Sequence, residues 1–283
     1  MNLVITNKDK IKTFTYVFQN LKLFSEHLNI FFEKERMFAQ GMDSSHVSIF
    51  EIHIPASWFD VYRYTGKASS HILGVNTVTL FKILSTREEN QELNIEFDED
   101  DTDSLLIHFI GQPSTKPNAK EYDKHFTVPL ISLETELMDI PNFECSAEFS
   151  LESSHFSTVV NQLKLFGTDI TFQCNEEEIR LLSNGRDNGN MSVVIPIDDL
   201  NMFAIAEGEN MRLSFSLVHM SNICSFYKVS NQIMIELSNE FPLRVTYYLD
   251  KTDMDIDIDE EEDAKQNVAR LLFFLAPRVG DDE

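Results

Sequence analysis

Glycine, proline, cysteine and tryptophan are all scarce in this chain: nine, eight, three and one among 283 residues. So few glycines leave little material for a loop that cradles phosphates. Neither a Gly-x-x-x-x-Gly-Lys-Ser/Thr run nor a Gly-x-Gly-x-x-Gly fingerprint occurs. The cysteines, Cys145, Cys174 and Cys224, stand far apart. They offer neither a disulfide framework nor metal-ligand spacing, and read as reduced core thiols of an intracellular protein. No run of 18 apolar residues exists, so no membrane-spanning helix is expected. The opening Met1-Asn2-Leu3-Val4-Ile5-Thr6 lacks the basic-then-apolar order of a secretory signal. Basic residues are short too, with 23 Lys and Arg against 47 Asp and Glu, a net charge of -24. Taken alone, that balance argues against nucleic acid.

The distribution of charge reverses this. Four stretches read as helices, 8–24, 77–87, 154–166 and 217–228. They hold Lys8, Lys10, Lys12, Lys22, Lys82, Arg87, Lys164 and Lys228 against a single acid, Asp9. Basic helices in an acidic shell suit a protein that admits a polyanion on one surface and repels it elsewhere. The plainer alternative is that helices favour Lys while loops collect acids.

Hydrophobic patterning divides the chain into two halves of similar order. In the first, a strand at 2–7 precedes a helix whose Ile11, Phe14, Val17, Phe18 and Leu21 recur at three- and four-residue spacing. Strands follow at 27–33, 36–42 and 47–54, then the helix 77–87, then strands at 92–97, 104–110 and 125–130. The second half gives a strand at 144–152 and a helix with Phe156, Val159, Val160, Leu163 and Phe166 on one face. Ser153 or Ser154 is its expected N-cap and Gly167 its terminator. Strands at 169–175, 178–183 and 190–196, the helix 217–228, and strands at 232–238, 243–249 and 269–275 complete it. The period is roughly 140 residues, too long for a solenoid and suited to domain duplication. Many strands with few helices predict an α+β, sheet-dominated fold with helices on one face of each domain. Between the halves, 131–142 alternates apolar and acidic residues and reads as an extended surface connector with exposed Leu and Met.

Catalytic and metal chemistry find little support. Asp98–Asp103 has Asp103 where a calcium loop needs glycine, and the alternating acids Asp253 to Asp259 have Ile258 there. His-Glu-x-x-His and Gly-x-Ser-x-Gly are missing. His46 beside Ser44 and Ser45 raises nucleophilic catalysis, but neighbours on a strand point to opposite faces. No enzyme activity, metal or cofactor is expected.

Two motifs carry a resemblance: Met42-Asp43-Ser44-Ser45-His46-Val47, and Leu275-Ala276-Pro277-Arg278-Val279 more than 200 residues later. With Phe59-Asp60-x-Tyr62-Arg63, they make the chain similar to the proliferating cell nuclear antigen family, the eukaryotic-type DNA sliding clamps. The resemblance implies a DNA clamp fold: two similar domains, with helices lining an inner face and sheets outside. Its implied boundaries are 1–130, a connector 131–142, and 143–279 with an acidic insertion at 250–266, ahead of an acidic tail 280–283. It implies a processivity factor that encircles double-stranded DNA as a homotrimer. A polymerase and other replication and repair proteins would be tethered through PIP-box-like peptides, and an ATP-dependent clamp loader would open the ring.

The implied peptide pocket is Met42, His46, Val47, Ile49, Met138, Ile140, Pro141, Phe143, Pro242, Phe274, Ala276 and Pro277. The implied DNA channel is Lys8, Lys12, Lys22, Lys82 and Lys164, while Thr15, Tyr16, Ser85 and Asn161 stand where the family carries basic residues. Subunit contact is implied for His125, Phe126, Val128 and Leu130 on one strand and Met191, Val193 and Ile195 on another. The nucleus is the implied compartment, or a viral replication compartment if the source is a large DNA virus rather than a protist. The rival readings are a subunit of a heterotrimeric checkpoint clamp and an acidic interaction scaffold that never touches DNA.

Overall fold

The computed structural model describes residues 1–66, 68–98, 101–112, 122–141, 143–185, 189–250 and 267–278. The acidic segment 250–266, apart from Asp250, and the tail 280–283 lie outside them, as does much of each calcium-like run. The chain divides into two compact units, Met1–Gly41 with Glu51–Leu137 and Thr252–Arg270, and Met42–Phe50 with Met138–Lys251 and Leu271–Glu283.

The first unit runs β1 (Asn2–Ile5), α1 (Lys8–Leu21), β2 (His27–Glu33), β3 (Arg36–Met42), β4 (Ser48–Pro55), β5 (Val61–Arg63), β6 (Ser70–Asn76), α2 (Thr77–Leu84), β7 (Gln91–Asp98), β8 (Asp101–Gly111) and β9 (Lys124–Pro129). The last residue of β3 and the first three of β4 group with the second unit. One sheet has the order β5-β1-β7-β8-β9, and β4-β3-β2-β6 are neighbours in another. α1 forms because Ile11, Phe14, Val17, Phe18 and Leu21 make one continuous apolar stripe, all buried. Asn7 caps it, its side chain accepting the amides of Asp9 and Lys10. Asn76 caps α2 through the amide of Thr79, and the two helices pack together.

The second unit repeats this order element for element: β10 (Ala147–Glu152), α3 (Ser153–Leu163), β11 (Asp169–Cys174), β12 (Glu178–Gly185), β13 (Gly189–Pro196), β14 (Met202–Ile205), β15 (Met211–Ser216), α4 (Leu217–Cys224), β16 (Gln232–Leu237), β17 (Leu243–Tyr248) and β18 (Arg270–Leu275). A 3-10 turn sits at the same place in each unit, Ala56–Trp58 and Ile197–Asp199. The sheets are β13-β12-β11-β15 and β14-β10-β16-β17-β18, the latter continuing to the start of β4. Phe149, Phe156, Phe172 and Phe215 fill the core beneath α3.

Four strands, β5, β6, β14 and β15, were not expected from the pattern. The helices are also shorter than their apolar periodicity, closing about one turn earlier at Lys22, Ser85, Lys164 and Ser225. The expected serine cap of α3 is corrected. Glu152 is the N-cap residue, without a side-chain cap bond, and Ser153 Oγ instead donates to the carbonyls of Tyr227 and Ser230. Gly167 is not the helix terminator either. It is required because a Cβ there would lie 2.6 Å from Ser183 Oγ and 2.7 Å from the Asn184 carbonyl oxygen.

Candidate functional site

The motif Met42–Val47 folds into a tight loop around one carboxylate. Asp43 Oδ1 accepts the amides of Val47 (2.9 Å) and Ser48 (2.5 Å) and the Ser48 hydroxyl (3.0 Å), and Oδ2 accepts the Ser45 amide (2.9 Å) and hydroxyl. Backbone bonds close the turn from His46 N–H to the Asp43 carbonyl and from Asp43 N–H to the Ser48 carbonyl, both 3.0 Å. Burial by itself would raise the Asp43 pKa. The hydroxyl and amide bonds of Ser45 and Ser48 outweigh it and hold the carboxyl well below the usual range. His46 sits at the loop tip with φ 59, the left-handed region, and its side chain is exposed.

The loop is tied to α4. Ser45 Oγ is 2.9 Å from His219 Nε2, Asp43 Oδ2 is 3.4 Å from the same nitrogen, and His219 Nδ1 is 2.9 Å from Ser216 Oγ. Serine, histidine and aspartate are thus adjacent, but not as a catalytic relay. A relay needs the acid on the ring nitrogen opposite the serine. Here both address Nε2, and the serine hydroxyl is spent on the carboxylate. The arrangement is a latch.

The C-terminal motif meets the same loop, with the Ala276 amide donating to the Val47 carbonyl at 3.0 Å. Arg278 anchors the tail through its amide to Ser214 O (2.7 Å) and its Nε to Asp169 Oδ1 (2.9 Å). A second cluster lies at the start of β17. Phe143 stacks on Phe241 at 4.7 Å with 7° between planes, and the Arg244 guanidinium caps its ring at 4.9 Å. Arg244 in turn forms a two-pronged pair with Glu236. The sheet makes β17, which starts just after Pro242, a neighbour of β18, and β18 a neighbour of β4.

Met42, Val47, Ile49, Met138, Ile140 and Pro242 are half-buried, and His46, Pro141, Ala276 and Pro277 are exposed. Phe143 and Phe274 are buried, at 9% and 6% exposure.

Among the lysines expected to face DNA, all five are exposed. Lys8 Nζ donates to Asn90 Oδ1 (2.6 Å), Lys12 faces Asp9 at 3.7 Å, Lys22 lies 5.6 Å from the Phe81 ring centre, and Lys164 reaches Ser221 Oγ at 3.4 Å. Lys10 is turned away, donating to Trp58 O at 2.8 Å and lying over its ring. On α4 the exposed Val218 takes a helix-surface position without charge. β9 and β13 each end a sheet. On β9, Val128 is core at 1% exposure while His125 is exposed; on β13, Met191, Val193 and Ile195 are half-buried.

Residues 6–137 match the model of the N-terminal domain of proliferating cell nuclear antigen, and residues 139–256 that of its C-terminal domain. Proliferating cell nuclear antigen of Chaetomium thermophilum is 30% identical over 249 residues, 86% of either chain. The chain belongs to the proliferating cell nuclear antigen family. It is a divergent DNA sliding clamp, a processivity factor of DNA replication, and clamps of this family are not enzymes. Proliferating cell nuclear antigen 2 of Plasmodium falciparum is 22% identical over 269 residues, 95% of this chain and 96% of that one. The fold matches a crystal structure of a PCNA2–PCNA3 complex from Sulfolobus tokodaii with TM-score 0.78 at 22% identity, covering 98% of this chain and 99% of that chain.

Asp43 and His219 organise the clamp loop, and sequence reasoning passed over both. Asp43 carried a usable signal, an Asp followed by Ser-Ser that forms a side-chain turn. His219 carried none, being 176 residues from Asp43 in the chain.

Proposed function

We propose that this clamp closes head to tail into a homotrimeric ring around duplex DNA, with β9 of one protomer pairing with β13 of the next. The observation that carries the reading is that both strands end their sheets and so present unpaired backbone. Heterologous contacts of this kind close a ring when the rotation permits. The lysines of α1, α2 and α3 then face the duplex. The surface formed by the Met42–Ile49 loop, the Met138–Phe143 segment, Pro242 and Phe274–Pro277 takes short PIP-box-like peptides of a polymerase and other partners. Tethering acts by rebinding at high effective concentration, with no chemistry by the clamp itself. Ring opening falls to an ATP-dependent loader, and the site of action is the nucleus or a viral replication compartment. The domain division proposed is 1–130, 131–142 and 143–279, with an insertion at 250–266.

A hetero-oligomeric ring, as in a checkpoint clamp, is the second reading. Its support is that the matching fold comes from a complex of two differently numbered clamp proteins. Light scattering on the isolated chain separates them: a stable trimer supports the homotrimer, a monomer the mixed ring. The encircling claim is tested by loading the protein on nicked circular DNA with a compatible loader and then linearising the circle. Loss on linearisation with retention on the intact circle is expected. Equal retention on both would mean that the protein grips DNA by contact, and the topological reading would fail.

A further inference from the structure

His108 on β8 and His125 on β9 are direct register partners, and their Nδ1 atoms lie 2.7 Å apart. The rings meet edge to face, with centroids 4.8 Å apart and planes at 63°. At that distance one nitrogen donates and the other accepts, so a single proton sits between two lone pairs that point at one place. We propose that this pair is a surface site for an imidazole-seeking divalent transition metal of the zinc, nickel or copper class.

Two imidazoles on one tetrahedral ion at about 2.0–2.1 Å stand roughly 3.3 Å apart, a little more than the present separation. Small side-chain rotations supply the difference, because His125 is exposed and His108 half-buried. Alternation along β8 buries Leu105, Ile107 and Phe109 and turns His108 to the opposite face. That face also carries Glu92, Asn94 and Glu96 of β7. Asn94 is the register partner of His108 and donates to the Glu92 carboxylate at 3.2 Å. Two carboxylates on the neighbouring strand, in a chain of net charge -24, favour a dication there. The nearest cation in sequence, Lys124, is held by Glu88 (2.7 Å) and the Thr86 carbonyl (2.6 Å). The His125 side chain is exposed, which leaves room for water to fill the remaining coordination positions. The site is built within one chain and does not depend on ring closure.

Isothermal titration of the untagged full chain with Ni²⁺ at neutral pH tests it. One ion per chain is expected, with affinity at least tenfold weaker in His108→Gln and in His125→Gln. The exposed His155→Gln should leave it unchanged, and far-UV circular dichroism should be the same for all four proteins. Saturable binding that survives either substitution, or no binding by the wild type, would overturn the site.

Discussion

A single buried carboxylate decides whether the Met42–Val47 loop has a shape. Asp43 receives three amides and two hydroxyls, and the loop has no apolar core of its own to replace them. Asp43→Asn removes the charge and one acceptor oxygen, leaving buried donors without partners. We expect a stability loss of about 1–3 kcal/mol at neutral pH by urea unfolding. The sign with pH follows from the lowered carboxyl pKa. The contribution is full above the unfolded value of about 3.9 and fades as pH falls below it. The gap between wild type and variant should therefore narrow in acid. A gap unchanged from pH 7 to pH 3 would show that the charge is not what holds the loop. The motif was legible as a word, through its likeness to a family, but its physics was not. The pattern drew attention to His46, whereas the structure gives His46 a left-handed turn position and assigns the bonding to Asp43. Of the thiols expected in the core, Cys174 and Cys224 are buried and Cys145 only half-buried, and burial pushes Cys174 up to about 12.

Elements were readable where one face is apolar and the stretch is long. α1 and α3 announced themselves through Ile11 to Leu21 and Phe156 to Leu163. β5, with three residues, and β14, with four, are too short to show a period, and their partners lie far away in sequence. Helix ends were misjudged because Phe24 and Phe166 continue the apolar spacing after the hydrogen-bonded turns have stopped. Edge status is a property of the sheet, so only coordinates place β13 at the end of β13-β12-β11-β15. Val193→Pro removes a backbone donor from that strand. Sedimentation should then show smaller assemblies while far-UV circular dichroism is retained, and an unchanged oligomer would mean that β13 is not the assembly edge. At the proposed docking surface, Ile140→Ala with Pro277→Ala trims the connector and the C-terminal tail without touching the buried Phe143 or Phe274. Each apolar anchor of a bound peptide is worth about 1.5–3 kcal/mol, so affinity for a fluorescent Gln-x-x-Ile-x-x-Phe-Phe peptide should fall at least tenfold. Thermal stability should change little. Equal affinity in the double variant would remove these two residues from the pocket.

For the whole molecule the deciding quantity is how little positive charge a clamp of net charge -24 offers to DNA. Of the basic residues on the four helical stretches, Lys10 is bound to Trp58, Lys12 shares its charge with Asp9, and α4 presents Val218 in place of a base. Two to four lysines per protomer remain, and a duplex crossing a ring meets only some of them at once. Each neutralised phosphate contributes about -0.9 to the slope of log affinity against log salt. Summed over few contacts, that gives a slope between roughly -2 and -4 and a dissociation constant in or above the nonspecific range of about 10⁻⁴–10⁻⁶ M. Acids elsewhere on the surface add repulsion rather than alternative sites. Fluorescence anisotropy on a short linear duplex, from 50 to 200 mM salt, measures both numbers. Lys22→Ala with Lys82→Ala should flatten the slope by about 1–2 and leave peptide binding at the docking surface as it was. A slope steeper than about -6 in the wild type would mean about seven or more phosphates neutralised at once, more than the few contacts expected. Contact energy, not closure of the ring, would then be what keeps this clamp on DNA.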